Sequence, residues 1–202
     1  MSSSTCLLIL CKNPILGKAK TRLASSVGDE KALEVYRFLL EHTAKVVAGV
    51  SGDKRIFYSH SVLADDAFQG PNYHKTLQST GDLGARMQAA FEEAFAAGYE
   101  RVVIIGSDCY DLSSPVLEEA LAVLQQQEAV FGPAKDGGYY LMGLNRMIPA
   151  VFTDQPWSQS NLLTSTRDTL DQLGHSYQLL SELSDVDYLE DLPLDVREKF
   201  GI

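Results

Sequence analysis

Apolar residues along the chain occur in two patterns. Some form short unbroken runs, and others recur with a period near 3.6. The first run, Cys6-Leu7-Leu8-Ile9-Leu10-Cys11, suits a strand buried on both faces. Asn13-Pro14 breaks it, because the residue before proline is driven out of helical backbone. After Gly17 a helix is predicted to open with Lys18, Lys20 and Arg22 at its start. Residues 29–50 read as a long amphipathic helix on the stripe Leu33, Tyr36, Leu39, Leu40 and Val47, ended by Gly49 and Gly52. A second strand is predicted over 55–59, a polar surface loop over 64–73 and a weaker strand over 73–78. Gly81-Asp82-Leu83-Gly84 opens a helix that runs to about residue 97 and stops at Gly98. Residues 101–108 are the clearest strand, and Ser114 with Pro115 marks the next helix start. Strands over 129–133 and 139–144 flank Asp136-Gly137-Gly138, a strong hairpin signal. A helix over 161–173, ended by Gly174, and a strand over 177–180 complete the series. Alternating strands and helices with one hairpin predict an α/β fold with a mixed, mainly parallel sheet between helix layers.

Charge sharpens this picture. The chain carries a net charge of -10, yet Lys12, Lys18, Lys20 and Arg22 crowd into one short segment. Strand, glycine-bearing turn and helix start is an arrangement that holds phosphate through free backbone N–H groups and the helix dipole. A solvated basic face is the plain alternative, but the dipole disfavours cations at that end. Clustered positive charge in an acidic chain therefore favours an anion site. A P-loop is excluded by spacing: Ala19 follows Lys18, and Lys12 stands where the first glycine is required.

Length and composition set the outer bounds. The 202 residues fit one domain, and 45% apolar with 22% charged residues is ordinary globular composition. The acidic balance lacks the basic stripe of a nucleic-acid-binding surface. Cys6, Cys11 and Cys109 form no CxxC pair and read as reduced, buried thiols, which also argues against zinc. Met1-Ser2-Ser3-Ser4 has no basic leader, and the apolar run behind it is too short for a membrane span. A cytoplasmic protein with no membrane partner is expected.

Carboxylates supply the remaining chemistry. Asp108 ends the clearest strand, where open α/β sheets hold their ligands. Near phosphates it would repel unless a cation intervened, and Mg²⁺ or Mn²⁺ would meet that need. Asp111, a few residues on, reads as a helix cap or turn former. The Gly81-Asp82 turn is either a plain helix start or a contact for nucleotide base or sugar. The loop carrying Asp136, Gly137, Gly138 and Tyr139 is either a plain hairpin or an acceptor-binding loop. The acidic stretch 185–192 is either a helix-opening turn or the source of a second metal carboxylate.

Taken together, these motifs resemble those of the nucleotide-diphospho-sugar transferase superfamily, the glycosyltransferase-A fold. The resemblance is nearest to a bacterial family of uncharacterised glycosyltransferase-like proteins, related to the guanylyltransferases acting on 2-phospho-lactate and on molybdopterin. It rests on Lys20-Thr21-Arg22-Leu23 within 12–23, and on 81–87, 106–113, 132–144 and 185–192, so it spans almost the whole chain. The chain departs from the family pattern at Tyr110, Ser25 and Tyr188-Leu189, where prolines or Thr-Pro are usual. The resemblance implies a Rossmann-like three-layer α/β/α sandwich. It implies phosphate contacts from Lys20 and Arg22, both also candidates for catalysis; the residue pattern itself adds Lys12, Gly17, Gly81 and Asp82 as candidate nucleotide contacts and Asp136 as a candidate catalytic carboxylate. Asp108 is implied as a metal ligand, with Asp187 completing the site. The implied partners are an NTP or NDP-sugar and a small-molecule acceptor held by 136–139. Nucleotidyl transfer, glycosyl transfer and non-catalytic nucleotide binding all remain open at this point.

Overall fold

The computed structural model describes residues 4–202; Met1–Ser3, part of the stretch read for a leader, lie outside the described residues. Strand β1 (Thr5–Cys11) is flanked by β2 (Asp53–Tyr58) and β4 (Arg101–Ile105), both parallel to it. With β3 (Tyr73–Leu77), β5 (Ala129–Pro133), β6 (Tyr139–Leu144) and β7 (Tyr177–Leu179) they form one seven-stranded sheet in the order β3-β2-β1-β4-β6-β5-β7. Only β6 runs against its neighbours β4 and β5, so the hairpin signal correctly located the antiparallel element. Side chains alternate across β1. Leu7, Ile9 and Cys11 enter one core with the helices α2 (Asp29–Ala48) and α4 (Ser114–Val123). Cys6 and Leu8 enter a second core with α3 (Leu83–Ala96) and α5 (Leu162–Leu173). Because β1 is buried on both faces, it reads as an unbroken apolar run. A third cluster joins the short helix α1 (Thr21–Val27), α2 and α6 (Leu194–Phe200) through Leu23, Val35, Leu39, Val186 and Val196. The result is the three-layer α/β/α sandwich expected.

Several local expectations are corrected. Helix α1 starts at Thr21 and not at Lys18, and Lys20 is its N-cap residue in left-handed backbone at φ 50°. Strand β4 ends at Ile105, so Asp108 lies in the following loop. Of the two readings of Asp111, turn former holds and cap does not: it is exposed in a turn, and the cap residue of α4 is Ser113. The 64–73 loop is not wholly a surface element, since Phe68 is buried in the α2-side core. Helix α6 follows the 185–192 stretch, one reading of which is a helix-opening turn; its seven residues are too few to show a periodic stripe of their own. Among the described residues no helix is long and apolar enough to cross a membrane. The three cysteines are buried and unpaired, and burial pushes each thiol up to about 12.

Candidate functional site

The loops beyond the carboxyl ends of β1 and β4 converge on one cluster of charge. Asn13 is buried and holds the first loop in place: its N–H donates to Ser59 Oγ, its amide to Ser61 O, and its Oδ1 accepts from His60 N–H at 2.8 Å. The chain then turns through Gly17 at φ 71° and reaches Lys20, whose side chain is only 5% exposed. The left-handed backbone at Lys20, unfavourable by roughly 1–2 kcal/mol for a residue with a Cβ, is offset by where its side chain ends. The Lys20 ammonium donates to Asp108 Oδ2 at 2.7 Å and to Asp187 Oδ1 at 3.3 Å. Arg22, 60% exposed, donates from Nη1 to the other oxygen of Asp187 at 2.6 Å. Burial pulls the Lys20 pKa down, but the charges and hydrogen bonds of Asp108 and Asp187 outweigh it, and the net shift is upward. Lys20 therefore stays an ammonium at neutral pH.

Both carboxylates are placed by backbone pairing far apart in sequence. Cys109 and Asp185 form an antiparallel bridge, and Val186 N–H donates to Asp108 O at 2.9 Å. The alternation Asp185-Val186-Asp187 sends Val186 into the α1/α2 core and leaves the two acids on the opposite side. A Cβ on Gly106 would lie 2.9 Å from Asp108 Oδ1, so glycine there leaves room for that carboxylate to fold back. Asp187 does not act as a helix cap. Asp191 Oδ2 instead accepts from the N–H groups of Asp187 and Tyr188, freeing the Asp187 side chain for the cluster. Tyr110 turns its ring onto Phe38 and His42 of α2, away from the carboxylates, and Arg22 lies over the Tyr188 ring.

Asp185 is a site residue that sequence reasoning passed over; its two-residue spacing from Asp187 was the available signal. Burial pushes its carboxyl up to about 7, Asp108 adds to the rise and the Lys20 ammonium opposes it. A carboxyl that is protonated in the native state and ionised in the unfolded one favours folding at low pH. That contribution is lost as pH rises through the folded value. In metal-free buffer, urea midpoints should fall between about pH 4 and pH 7. Asp185→Asn should flatten that slope and exceed the wild type in stability at pH 8.

The other anticipated residues fall around this cluster at different removes. The 134–138 loop borders it through an Ala134–Leu183 bridge and a bond from Lys135 N–H to Leu183 O. Asp136 Oδ1 accepts from Gly138 N–H at 2.9 Å, and its charge contributes to the rise at Asp185. Tyr139 packs its ring edge-on against Phe131 and Trp157. Asp82 caps α3 by accepting from Ala85 N–H at 2.8 Å, and Gly81 sits beside it at φ 108°. That turn is tied to the strand ends because Arg86 donates to Gln78, which donates to Cys11 O and Phe57 O. Lys12 has an exposed side chain at the edge of a separate cleft of about 420 Å³ beside Arg37 and Glu41. Its backbone is held by Tyr36 Oη, which also meets Ser107 next to Asp108. Among the described residues no hydrogen bond or ion pair joins Lys12, Gly17, Gly81 or Asp82 directly to the carboxylate cluster.

At 2.7 and 3.3 Å from one nitrogen, the oxygens of Asp108 and Asp187 are no farther apart than the sum of those distances. Two hard oxygen donors thus surround one cationic point; their chemistry suits Mg²⁺ or Mn²⁺, and an ion about 2.1 Å from both needs the oxygens within about 4.2 Å of each other. Among the described residues no group of three or more acidic, histidine or cysteine side chains is arranged to hold a metal. An ion here would draw its remaining ligands from water and substrate.

Residues 42–159, more than half of the chain, match the family model described as an uncharacterized protein conserved in bacteria, DUF2064. A solved structure of a provisionally assigned nucleotide-diphospho-sugar transferase from Desulfovibrio desulfuricans is 35% identical. It has a TM-score of 0.85 over 92% of this chain and 83% of that one. The chain belongs to the DUF2064 family. Its fold, within the nucleotide-diphospho-sugar transferase superfamily, is shared with more distant proteins. The 4-diphosphocytidyl-2C-methyl-D-erythritol synthase of Anaerococcus prevotii is 12% identical, with a TM-score of 0.61 over 94% of each chain. The Rv0371c protein of Mycobacterium tuberculosis, solved as a manganese complex, is 12% identical, with a TM-score of 0.57 over 93% of this chain and 95% of that one. No curated protein matches this family member.

Proposed function

We propose that this DUF2064 protein is a single catalytic unit that transfers a group from an activated nucleotide with the help of a divalent cation. Nucleotidyl transfer is preferred over glycosyl transfer. The observation that carries this reading is the convergence of Lys20, Arg22, Asp108 and Asp187 beyond the carboxyl ends of β1 and β4. A surface that only binds nucleotide has no need to bring two carboxylates against phosphate-binding cations. Asp108 and Asp187 would hold Mg²⁺ or Mn²⁺, and such an ion would supply positive charge beside the departing phosphates. Manganese in the Rv0371c structure is consistent with this choice of ion.

Arg22, exposed and carrying five donors, reaches out to grip phosphate oxygens in a two-pronged contact. Lys20 contributes a point charge closer to the metal carboxylates. Lys12, Gly17, Gly81 and Asp82 border the nucleotide, the last two beside its base or sugar. An acceptor oxygen, brought to the 136–139 loop beside Asp136 and Tyr139, attacks the α-phosphorus. The bond to the pyrophosphate oxygen breaks, and the acceptor proton passes to the Asp136 carboxylate. The class named for the Desulfovibrio relative supports the second reading, in which the acceptor attacks the sugar of an NDP-sugar and NDP leaves.

Thermal-shift measurements with each NTP and NDP-sugar, with and without Mg²⁺ or Mn²⁺, identify the donor, since a ligand that binds only the native state raises its stability. Acceptor-dependent release of pyrophosphate is the expected product, and release of NDP would establish glycosyl transfer instead. Nucleotide binding with neither product would make the protein a non-catalytic binder. Absence of any nucleotide-induced shift would overturn the proposal.

A further inference from the structure

Lys20 lies where a cation sharing Asp108 Oδ2 and Asp187 Oδ1 would lie. Its nitrogen is the only cationic atom in contact with both carboxylates among the described residues, and its side chain is almost wholly buried. A divalent cation accepting oxygens from both acids would sit about 2.1 Å from each. An ammonium cannot remain 2.7 Å from the same oxygen of Asp108 beside such an ion without strong like-charge repulsion. The two cations therefore exclude one another. Removing Lys20 to water alone would leave Asp108, Asp185 and Asp187 crowded together, so the metal must arrive as the ammonium departs. Arg22 does not fill the gap, because it touches only Asp187 and from the exposed side.

We propose that Lys20 is a built-in counterion that holds the metal position in the free protein and exchanges with the divalent cation when nucleotide enters. The exchange rests on the metal-dependent reading above and deepens it. A nucleotide polyphosphate brings both the oxygens that the metal lacks and a new anionic partner for the displaced ammonium. Metal and nucleotide consequently bind with positive coupling, each relieving a cost that the other meets alone. The left-handed backbone at Lys20 fits the same role. From that cap position its side chain reaches both carboxylates, and the strain of the left-handed backbone is confined to this one residue.

The test uses Mn²⁺ alone, with no nucleotide, followed by the electron paramagnetic resonance signal of the free ion. Lys20→Met should bind one Mn²⁺ at least tenfold more tightly than the wild type, and adding Asp108→Asn should erase the gain. If Lys20→Met is unfolded without metal, circular dichroism should show Mn²⁺ restoring its structure, because the ion replaces the missing charge. Equal or weaker Mn²⁺ binding by a folded Lys20→Met, or no recovery of an unfolded one, overturns the exchange. In the wild type, the thermal shift with Mn²⁺ and nucleotide together should exceed the sum of the separate shifts. Additive shifts would also overturn it. The metal-only result is independent of the enzymatic reading: tight Mn²⁺ binding by Lys20→Met with no nucleotide binding by the wild type would retain Lys20 as the counterion at the metal position, but overturn its exchange on nucleotide entry together with the transferase.

Discussion

Asp108→Asn should abolish metal-dependent turnover, with a fall of at least about 10²–10³-fold, the scale for losing one preorganised charge-stabilising group. The substitution keeps the size of the side chain and its capacity to accept from Lys20, so the fold should survive. It removes the charge that draws in a divalent cation, and one fewer anion beside Asp185 should let that buried carboxyl ionise more easily. Asp187→Asn should have the same direction of effect. Because Asp187 also binds Arg22, that variant should additionally loosen the Arg22 side chain. Turnover, nucleotide affinity with and without Mn²⁺, and melting temperature together separate loss of chemistry from loss of fold. Undiminished metal-dependent nucleotide binding by Asp108→Asn would remove the carboxylate from the site. The same result for Asp187→Asn alone would leave Asp108 as the sole protein ligand of the ion.

Gly137→Ala should be the most disruptive glycine-to-alanine change among the described glycines with a Cβ contact. Gly137 has φ 89°, left-handed backbone that costs a residue with a Cβ roughly 1–2 kcal/mol. The added carbon would also fall 1.8 Å from the carbonyl oxygen of Ser160, a backbone atom that cannot rotate aside. Relieving that overlap means separating the hairpin from the start of α5 and breaking the bond from Leu163 N–H to Gly137 O. Overpacking of this kind adds about 1–3 kcal/mol. The combined loss is therefore roughly 2–5 kcal/mol, visible as a lower urea midpoint. Turnover should fall too, since the 136–139 loop would no longer be held beside the carboxylates. Gly138→Ala is the control: its nearest new contact is 3.2 Å from the Asp136 carboxylate, which can shift. Equal stability of the two alanine variants would show that the hairpin–α5 contact is not tight.

The apolar pattern by itself determined the layered α/β architecture. Continuous runs at β1 and β4 could be satisfied only by a strand covered on both sides, and the 3.6-period stripe of α2 only by a helix on that sheet. The Asp136-Gly137-Gly138 turn specified the reversed strand, because its residues accept the backbone a tight hairpin needs. Charge patterning brought Lys20, Arg22 and Asp108 forward as candidates, the family resemblance singled out Asp187, and all four meet in space. What each side chain touches was decided by tertiary structure. Lys20 reads from sequence as a phosphate ligand, but left-handed backbone at one residue turns it onto two carboxylates, and no local propensity encodes that choice. Asp185 looks like any acidic surface residue until its pairing with Cys109 buries it beside Asp108. Helix propensity could not reveal α6 either, because Val196 gains its burial in a cluster with Leu23 of α1, Val35 and Leu39 of α2, and Val186 and Leu192. Hydrophobic periodicity is a local property of the chain, whereas the balance of charge at a site depends on which distant loops the sheet brings together.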